Sequence, residues 1–337
     1  MLLSICIPNY KREECLNNCL NSIYVAKKNY NSDFEICISD NNSGAKTNSI
    51  INYYKKKLPI KFRRNNKNIG MGGNIIEAIL MAEGKFTWVI GNDDMLFPFT
   101  LKKIYEILNS NQNKDFFFIN SCNLDSKYVF SHKQPFNTYL VPKNLKSVSN
   151  VHINKSLNFI DLINPHISFD YLLAIFLSIF NTKKFKENIY ILDDKKLKKK
   201  GTFSTFENTA PHVSVFAKAF IRSKSYFVGK PLSINLFGKR EWSYMWSLIE
   251  IIRIPEALEQ YRKNGLPLYK YYLYKNYSLK NFMPCLLKII FNKSKNNITN
   301  FTLILIIFKN LIYPNFYLSL VYFFNRKIKL YINNNFK

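Results

Sequence analysis

One arrangement recurs four times in the first 95 residues of this chain: a short apolar run, then a polar cluster, then a helical pattern. The clusters begin at Pro8, Asp40, Asn65 and Asn92. Apolar runs of this length predict buried strands, and strands that alternate with helices predict a mostly parallel sheet covered on both faces. Because the carboxyl ends of parallel strands share one edge, we expect the four clusters to meet at the crevice where such sheets bind ligands.

The pattern loosens after about residue 125, and this change divides the chain. We expect an α/β domain over residues 1–235, with a first half over 1–120 and a second half over 121–235. A mainly helical, basic region follows over 236–337. The predicted strands cover residues 2–8, 34–39, 60–62, 86–90 and 115–120, and the predicted helices cover residues 12–28, 47–57, 75–83, 97–109 and 211–221.

Two adjacent carboxylates, Asp93 and Asp94, follow the predicted strand 86–90 in the run WVIGNDD. Inside a strand they would repel each other and lose hydration. At a strand end that faces a crevice, a divalent cation between the pair and a phosphate would offset both effects. An isolated Asp-Asp pair is also compatible with a solvated turn, so the prediction of a metal site depends on the other three clusters.

Those other clusters suit a nucleotide. We expect Tyr10 to pack on or near a base and Asp40 to accept a hydrogen bond from a base or ribose donor. The glycine-rich turn 70–73 places backbone amides at a predicted helix start, where an anion is stabilised. Arg63 and Arg64 end the third predicted strand and are candidates for a phosphate contact or for ordinary solvated charge.

The formal charge of +27, from 49 Lys and Arg against 22 Asp and Glu, implies an anionic partner: nucleic acid, a membrane surface or a phosphorylated substrate. A basic nucleic-acid- or polyanion-binding protein without catalysis is one alternative. Against it, the basic residues are spread out and no helix-turn-helix, RRM or zinc signature is present. We therefore expect no nucleic-acid partner.

Two other enzyme classes require a glycine-rich loop after the first strand. A dinucleotide oxidoreductase needs Gly-x-Gly-x-x-Gly there, and nucleotidyltransferases on a similar sheet typically carry such a loop. This chain has Pro8-Asn9-Tyr10 at that place. The sequence therefore argues against both classes.

Six cysteines form no CxxC pair, and two of them, Cys6 and Cys37, lie inside predicted strands. We expect buried free thiols in a reducing compartment. The chain starts directly with an apolar strand pattern and shows no basic leader or cleavage site, which predicts a cytoplasmic protein.

Apolar stretches broken by lysines and a proline fill residues 282–324. No window there reaches the roughly 18–20 uninterrupted apolar residues of a spanning helix. Helices that interleave Phe, Leu and Tyr with Lys are typical of segments lying on an anionic membrane surface. Helices packed on the domain with a solvated basic face are the alternative.

Four segments together resemble the family 2 glycosyltransferases of the GT-A fold, which is Rossmann-like. The Gly-x-Asp-Asp version of the last segment is similar to the abequosyltransferase-type sugar transferases of bacterial surface polysaccharides. The resemblance is specific over residues 2–120 and loose over 170–235. The segments are LSICIPNYKR at 3–12, EICISDNNS at 35–43, NIG at 68–70 and WVIGNDD at 88–94.

The resemblance implies an inverting transferase that uses a nucleotide-diphosphate sugar and Mg²⁺ or Mn²⁺. Asp93 and Asp94 match the metal-binding pair, with Asp94 expected as the direct ligand. The leading acidic residue of the usual Asp-x-Asp is missing, because Gly91 or Asn92 stands there, so metal affinity is expected to be weaker. The predicted nucleotide-binding residues are Pro8, Asn9, Tyr10, Arg12, Asp40, Asn68, Gly70, Asn74 and Asp93.

Inverting transfer needs a base that removes the proton of the acceptor hydroxyl. The family usually has an acidic residue at the start of a helix, and here His212 takes that place, with Glu207 five residues upstream. A neutral imidazole can accept the proton. Metal or diphosphate binding and a structural role are the alternatives for His212. Weaker candidates for the base are Asp170, Asp193 and Asp194.

On the acceptor side, we expect Trp242 to stack on a sugar and Arg240 to add a contact. The basic run 195–200 is expected to be a loop that meets the pyrophosphate of a lipid-linked acceptor, or else a solvated loop. The acceptor implied is a bacterial surface glycan such as lipooligosaccharide or capsule. The expected location is the inner face of the cytoplasmic membrane, on which the protein would be peripheral.

Overall fold

The computed structural model describes residues 1–30, 32–199, 201, 203–238, 243–291 and 300–335. One sheet of nine strands runs through the described part of the chain. The strands are β1 (Leu3–Asn9), β2 (Phe34–Asp40), β3 (Ile60–Arg64), β4 (Phe86–Val89), β5 (Met95–Leu96), β6 (Phe116–Asp125), β7 (Lys155–Asn158), β8 (Ser178–Asn181) and β9 (Lys224–Phe237).

Helices separate the strands and make up most of the C-terminal region. Those of the α/β part are α1 (Glu13–Asn29), α2 (Ala45–Lys55), α3 (Gly70–Leu80), α4 (Thr100–Ser110), α5 (Ser126–Phe130), α6 (Phe159–Leu162), α7 (Thr182–Lys186), α8 (Asp194–Leu197), α9 (Phe206–Thr209) and α10 (Pro211–Phe220). Those of the C-terminal region are α11 (Trp246–Leu248), α12 (Ile254–Lys263), α13 (Leu268–Ser278), α14 (Phe282–Phe291), α15 (Asn300–Asn310) and α16 (Pro314–Asn335), with a π-helical segment Ile249–Arg253 between α11 and α12.

The strand order is β3-β2-β1-β4-β8-β6-β9-β5, and β7 pairs with β9. The first four strands are parallel, which places the ends of β1 to β4 at one edge. The pairs formed by β5, β7 and β8 are antiparallel, whereas β6 and β9 run parallel. The predicted α/β class is confirmed, but the sheet is mixed rather than mostly parallel, because antiparallel strands enter after the fourth one.

Helices cover both faces of the sheet, as predicted. Side chains alternate between the two faces along a strand, and those of β1 contribute to two separate apolar clusters. Ile5 and Ile7 belong to the cluster that includes residues of α1, α2 and α4, whereas Cys6 belongs to the one with α3 and α10. All six cysteines are free thiols, five of them buried and Cys15 half-buried.

The C-terminal helices pack on the α/β part. The apolar cluster that contains Phe216 of α10 continues through Leu258 of α12 and Phe282 of α14 to Phe316 of α16. Tyr261 also donates a hydrogen bond to the backbone oxygen of Tyr171 at 3.0 Å. The predicted helical C-terminal region is confirmed, while the proposed boundary after residue 235 falls inside β9, so the two parts share a core.

Two further features concern the basic segments. Part of the expected loop 195–200 is helical: Asp193 caps α8 by accepting hydrogen bonds from the amides of Lys195 and Lys196, and Lys200 lies outside the described residues. Within the described ranges, no single helix has the length and apolarity to cross a membrane. The stretches 302–310 and 314–329 meet that test only as a pair, bent by 98°.

A close approach of two backbones positions α9 against the first turn of α3. A Cβ atom added at Gly72 would lie 2.7 Å from the backbone oxygen of Glu207 and 2.8 Å from that of Asn208. Neither oxygen can move away as a flexible side chain would. Gly72 is therefore required for this contact.

Replacing Gly72 by Ala is expected to lower the free energy of unfolding by about 1–3 kcal/mol, because the added methyl group overpacks a rigid contact. Gly44→Ala is the matched control, since a Cβ atom at Gly44 meets nothing within 4 Å. That variant should stay within about 0.5 kcal/mol of the parent. Urea denaturation measures both changes, and equal midpoints for the two variants would contradict the close packing of α9 on α3.

Candidate active site

The side chain of Asn9 joins the ends of three neighbouring strands. Its Nδ2 donates to Oδ1 of Asp40 at 2.8 Å, and its Oδ1 accepts from Nδ2 of Asn92 at 2.7 Å. Asn74 of α3 donates from Nδ2 to the backbone oxygen of Asn9 at 3.0 Å. All four side chains are buried. The predicted convergence of the polar clusters is therefore present as a hydrogen-bond network.

Asp40 lies at the end of β2 but is fully buried. Besides Asn9, its carboxylate accepts from the amide of Ser43 at 3.0 Å and from Nε of Arg64 at 2.8 Å. Three donors of the chain itself thus occupy a carboxylate that has no exposure to solvent. The partner of Arg64 is thus a carboxylate rather than a phosphate in this structure.

Two amides at the start of α3 donate to side chains of the chain itself. The amide of Ile69 donates to Oδ1 of Asn41 at 2.9 Å, and that of Gly70 donates to Oδ1 of Asn68 at 2.8 Å. Gly70 has a φ of 83°, a conformation that glycine adopts without strain. The predicted anion site is not formed by these two amides. In this structure, Asn68, Gly70 and Asn74 hold the edge of the sheet together.

The chain after Pro8 and Asn9 makes a sharp turn. Lys11 and Arg12 both have left-handed backbones, with φ of 56° and 58°, and such residues concentrate at functional sites. The amide of Lys11 donates to Oγ of Ser43 at 2.7 Å, which holds the turn. Tyr10 is 41 % exposed. This turn presents an aromatic ring to solvent beside the network.

The two carboxylates of the Gly-x-Asp-Asp run face different surroundings. Asp94 is buried, and its Oδ2 accepts from the amide of Gly91 at 2.7 Å. Asp93 is half-buried and pairs through Oδ2 with Nη1 of Arg12 at 2.9 Å. A Cβ atom at Gly91 would lie 2.6 Å from Oδ1 of Asp93, so a larger residue at position 91 would push this carboxylate aside.

A thiol lies beside the carboxylate pair. Sγ of Cys19 is 3.7 Å from the backbone oxygen of Gly91. Burial raises the pKa of this thiol well above its usual value, and the charges of Asp94 and Asp93 raise it further. Cys19 therefore stays protonated at neutral pH and fills space next to the site.

A cleft of about 450 Å³ opens at this edge of the sheet. Arg12 and Lys46 bring positive charge to its lining, and Phe130 and Phe237 are apolar. The acidic lining residues are Glu13, Glu14 and Asp93. This volume lies in the range typical of small-molecule sites. The cleft brings together the first and fourth predicted clusters.

The carboxylate pair fits a divalent cation that shares its coordination with a ligand. Among the described residues, no group of three or more His, Cys, Asp or Glu side chains is placed to hold a metal ion. Mg²⁺ at phosphate sites commonly uses one or two carboxylates and takes its other ligands from phosphates and water, which Asp93 and Asp94 can provide. Asp93 lines the cleft, while Oδ2 of Asp94 accepts from the amide of Gly91, and the assignment of Asp94 as the direct ligand stays a prediction.

His212 is 1 % exposed and lies at the start of α10. Its Nε2 lies 3.1 Å from the backbone oxygens of both Leu172 and Leu173, so it is the protonated nitrogen. The buried Nδ1 has no hydrogen-bond partner. Tyr171 and Leu172 have left-handed backbones. His212 therefore anchors a strained turn and has no direct access to solvent.

Glu207 lies on α9, and its side chain is 22 % exposed, with Oε1 4.0 Å from Nζ of Lys196. The predicted acceptor contacts Arg240 and Trp242 lie outside the described residues.

Sequence reasoning missed the roles of Asn92 and of Lys46. Asparagines are frequent after each predicted strand, and this frequency was the available signal for the hydrogen-bond network around Asn9. No sequence signal pointed to Lys46.

Comparison with known proteins agrees with this arrangement. Residues 4–158 match the family model described as Glycosyl transferase family 2. The chain is 40 % identical over 112 residues to abequosyltransferase RfbV of Salmonella typhimurium, which covers 33 % of either protein. It is 30 % identical over 115 residues to the poly(ribitol-phosphate) beta-glucosyltransferase of Bacillus spizizenii, which covers 34 % of this chain and 18 % of the relative. The aligned region thus spans a third or less of these relatives.

Among solved structures, TarS 1-349 of S. aureus in complex with UDP is similar, with a TM-score of 0.54 and 17 % identity over 84 % of this chain and 72 % of that one. At this identity the likeness concerns the fold alone. Together with the matched family model, it confirms the GT-A-like architecture. Residues 4–158, a little under half of the chain, therefore match a glycosyl transferase family 2 domain.

Proposed function

We propose that this protein is an inverting glycosyltransferase that moves one sugar from a nucleotide-diphosphate sugar to a glycan acceptor. The observation that carries the proposal is the cleft in which Arg12 and Asp93 meet, together with the exposed ring of Tyr10 two residues before Arg12. The printed names of the relatives describe sugar transferases, and TarS has been described with UDP and with UDP-GlcNAc. These facts favour a nucleotide-sugar donor.

The cleft and the turn at residues 10–12 both have a part in donor binding. Tyr10 offers a flat apolar face to a base, while Arg12 and Lys46 lie in the lining and supply positive charge for a diphosphate. Mg²⁺ or Mn²⁺ held by Asp93 and Asp94 would neutralise charge on the departing diphosphate. In its ion pair, Arg12 already holds the Asp93 carboxylate in place, which limits the reorganisation needed when donor binds.

The proton of the acceptor hydroxyl requires a base, and we propose Glu207 rather than His212. Burial lowers the pKa of His212 to about 4, although its two carbonyl partners oppose the shift. A base with so low a pKa is poorly matched to neutral pH, and its ring has no access to an acceptor. Glu207 is partly exposed. His212 then acts as a positioning residue for the turn at 171–172.

The proposed acceptor is a lipid-linked bacterial surface glycan, with the enzyme peripheral on the inner face of the cytoplasmic membrane. The basic, helical C-terminal region supports a contact with an anionic membrane surface. In this proposal Trp242 and Arg240 contact the acceptor, because they follow Gly238, which lines the cleft.

The donor site is tested by thermal unfolding with UDP-, GDP-, CDP- and dTDP-sugars, with and without Mn²⁺. One of these donors should stabilise the protein in a Mn²⁺-dependent way, by about 2.7 kcal/mol at a ligand concentration of 100 Kd. Asp93→Asn should abolish the metal-dependent part. Asp115→Asn, which removes an ion-paired carboxylate outside the cleft, should retain it. Stabilisation that is independent of metal, or an equal loss in both variants, would contradict the proposed role of Asp93.

The assignment of the base is tested by steady-state kinetics of two isosteric variants. Glu207→Gln should lower kcat by about 100-fold or more and leave the KM for the donor nearly unchanged. His212→Gln should keep kcat within a few-fold, because its amide can still donate to the carbonyls of Leu172 and Leu173. A folded His212→Gln protein with the larger loss of kcat would instead make His212 the base.

The burial of His212 also predicts how stability depends on pH. The pKa of this residue is about 4 in the folded protein and about 6.5 when unfolded. Between these values the unfolded state binds more protons, so stability falls as the pH falls. Urea denaturation at pH 7 and pH 5 should show a loss for the parent that exceeds the loss for His212→Gln by about 1–2 kcal/mol. The exposed His166 provides the control, and His166→Gln should behave like the parent; a parent-like His212→Gln protein would disprove the prediction.

A further inference from the structure

The charged side chains of the last 78 residues are all of one sign. Residues 260–337 contain 13 Lys and Arg and no Asp or Glu. A segment with this composition attracts anionic surfaces over a Debye length, although Arg262 and Lys270 pair with Glu259 and Asp161. The region therefore favours anionic partners, a preference that the packing of its helices does not explain.

The last two helices carry exposed apolar faces. On α16, residues 317, 321, 324, 328 and 331 are separated by three or four positions, which places them on one face. They are Tyr317, Val321, Phe324, Ile328 and Tyr331, and each is 51–68 % exposed. On α15, Ile304 and Phe308 form a similar exposed pair. Exposed apolar stripes of this size mark interaction or membrane surfaces.

A groove of about 510 Å³ is lined in part by Tyr322, Asn325, Arg326 and Lys329 of α16, and we call it the basic groove. Lys280, Arg326 and Lys329 bring three positive charges to it, between the rings of Tyr277 and Tyr322. None of the three cations forms an ion pair with a carboxylate of the described chain. These cations are thus available to an external anion.

Contacts within the protein hold the side chains of the basic groove in place. Arg326 donates to Oδ1 of Asn281, and Nζ of Lys280 lies 3.6 Å from the centroid of the Tyr277 ring. Glu250 also lines the groove, and its two oxygens accept hydrogen bonds from Nδ2 of Asn281 and Sγ of Cys285. The single carboxylate is therefore occupied by internal donors, which leaves the positive charges dominant.

We propose that the basic groove binds the phosphate of an anionic phospholipid while the exposed faces of α15 and α16 lie in the bilayer surface. A lipid matches both features, because its phosphate suits the cations and its acyl region suits the aliphatic side chains. The proposal rests on the proposed membrane location but not on the transfer chemistry.

The experiment measures binding of the full chain to vesicles of phosphatidylcholine alone and of phosphatidylcholine with phosphatidylglycerol. Arg326→Gln/Lys329→Gln neutralises the groove, and Lys309→Gln/Lys327→Gln removes the same charge elsewhere on α15 and α16. Both should weaken binding to anionic vesicles, but the groove variant should lose about tenfold more affinity. Phe324→Ser/Ile328→Ser should weaken binding to both kinds of vesicle.

Equal losses in the two charge variants would overturn the proposal, because they would indicate diffuse attraction without a phosphate site. Displacement of the vesicles by millimolar inorganic phosphate would also overturn it, in favour of a free anion as the ligand. Tighter binding of an oligonucleotide than of anionic vesicles would do the same. An unchanged donor-dependent thermal shift in the groove variant shows that the protein is folded and keeps this outcome separate from the test of the donor site.

Discussion

The buried amide of Asn9 is the interaction on which the site depends. Strand ends in a parallel sheet leave polar groups that need partners, and Asn9 satisfies groups from β2, from the turn after β4 and from α3 with one residue. A fully satisfied buried network holds its members in one arrangement. The positions of Asp40 and of the turn that carries Asp93 both follow from it.

The network also stabilises a backbone conformation that is unfavourable by itself. Lys11 and Arg12 are left-handed, and such residues persist only where their surroundings over-determine them. Oγ of Ser43 accepts a hydrogen bond from the amide of Lys11, and Nδ2 of Asn92 donates to the backbone oxygen of Lys11 at 3.3 Å. This turn directs the side chain of Arg12 toward Asp93. The ion pair in the cleft therefore depends on the hydrogen bonds that Ser43 and Asn92 make with Lys11.

Sequence alone predicted the first half of the fold well, because strands and helices there alternate with clear periodicity and end at polar residues. It did not predict β8, since the apolar run 171–180 has no period and its pairing with β4 and β6 is non-local. At the site, the convergence of the clusters was predictable. The role of Gly72 was not, because the backbone of α9 that meets it comes from distant sequence. The burial of His212 likewise depends on packing that no local pattern encodes.

The position of β8 limits how the cleft can change shape. This strand comes from the second half of the domain, yet it lies between β4 and β6 and bonds to both. A hinge that swung the two halves apart would break these ladders, so the halves form a single rigid platform. Any closure over a ligand must therefore arise from the loops above the sheet.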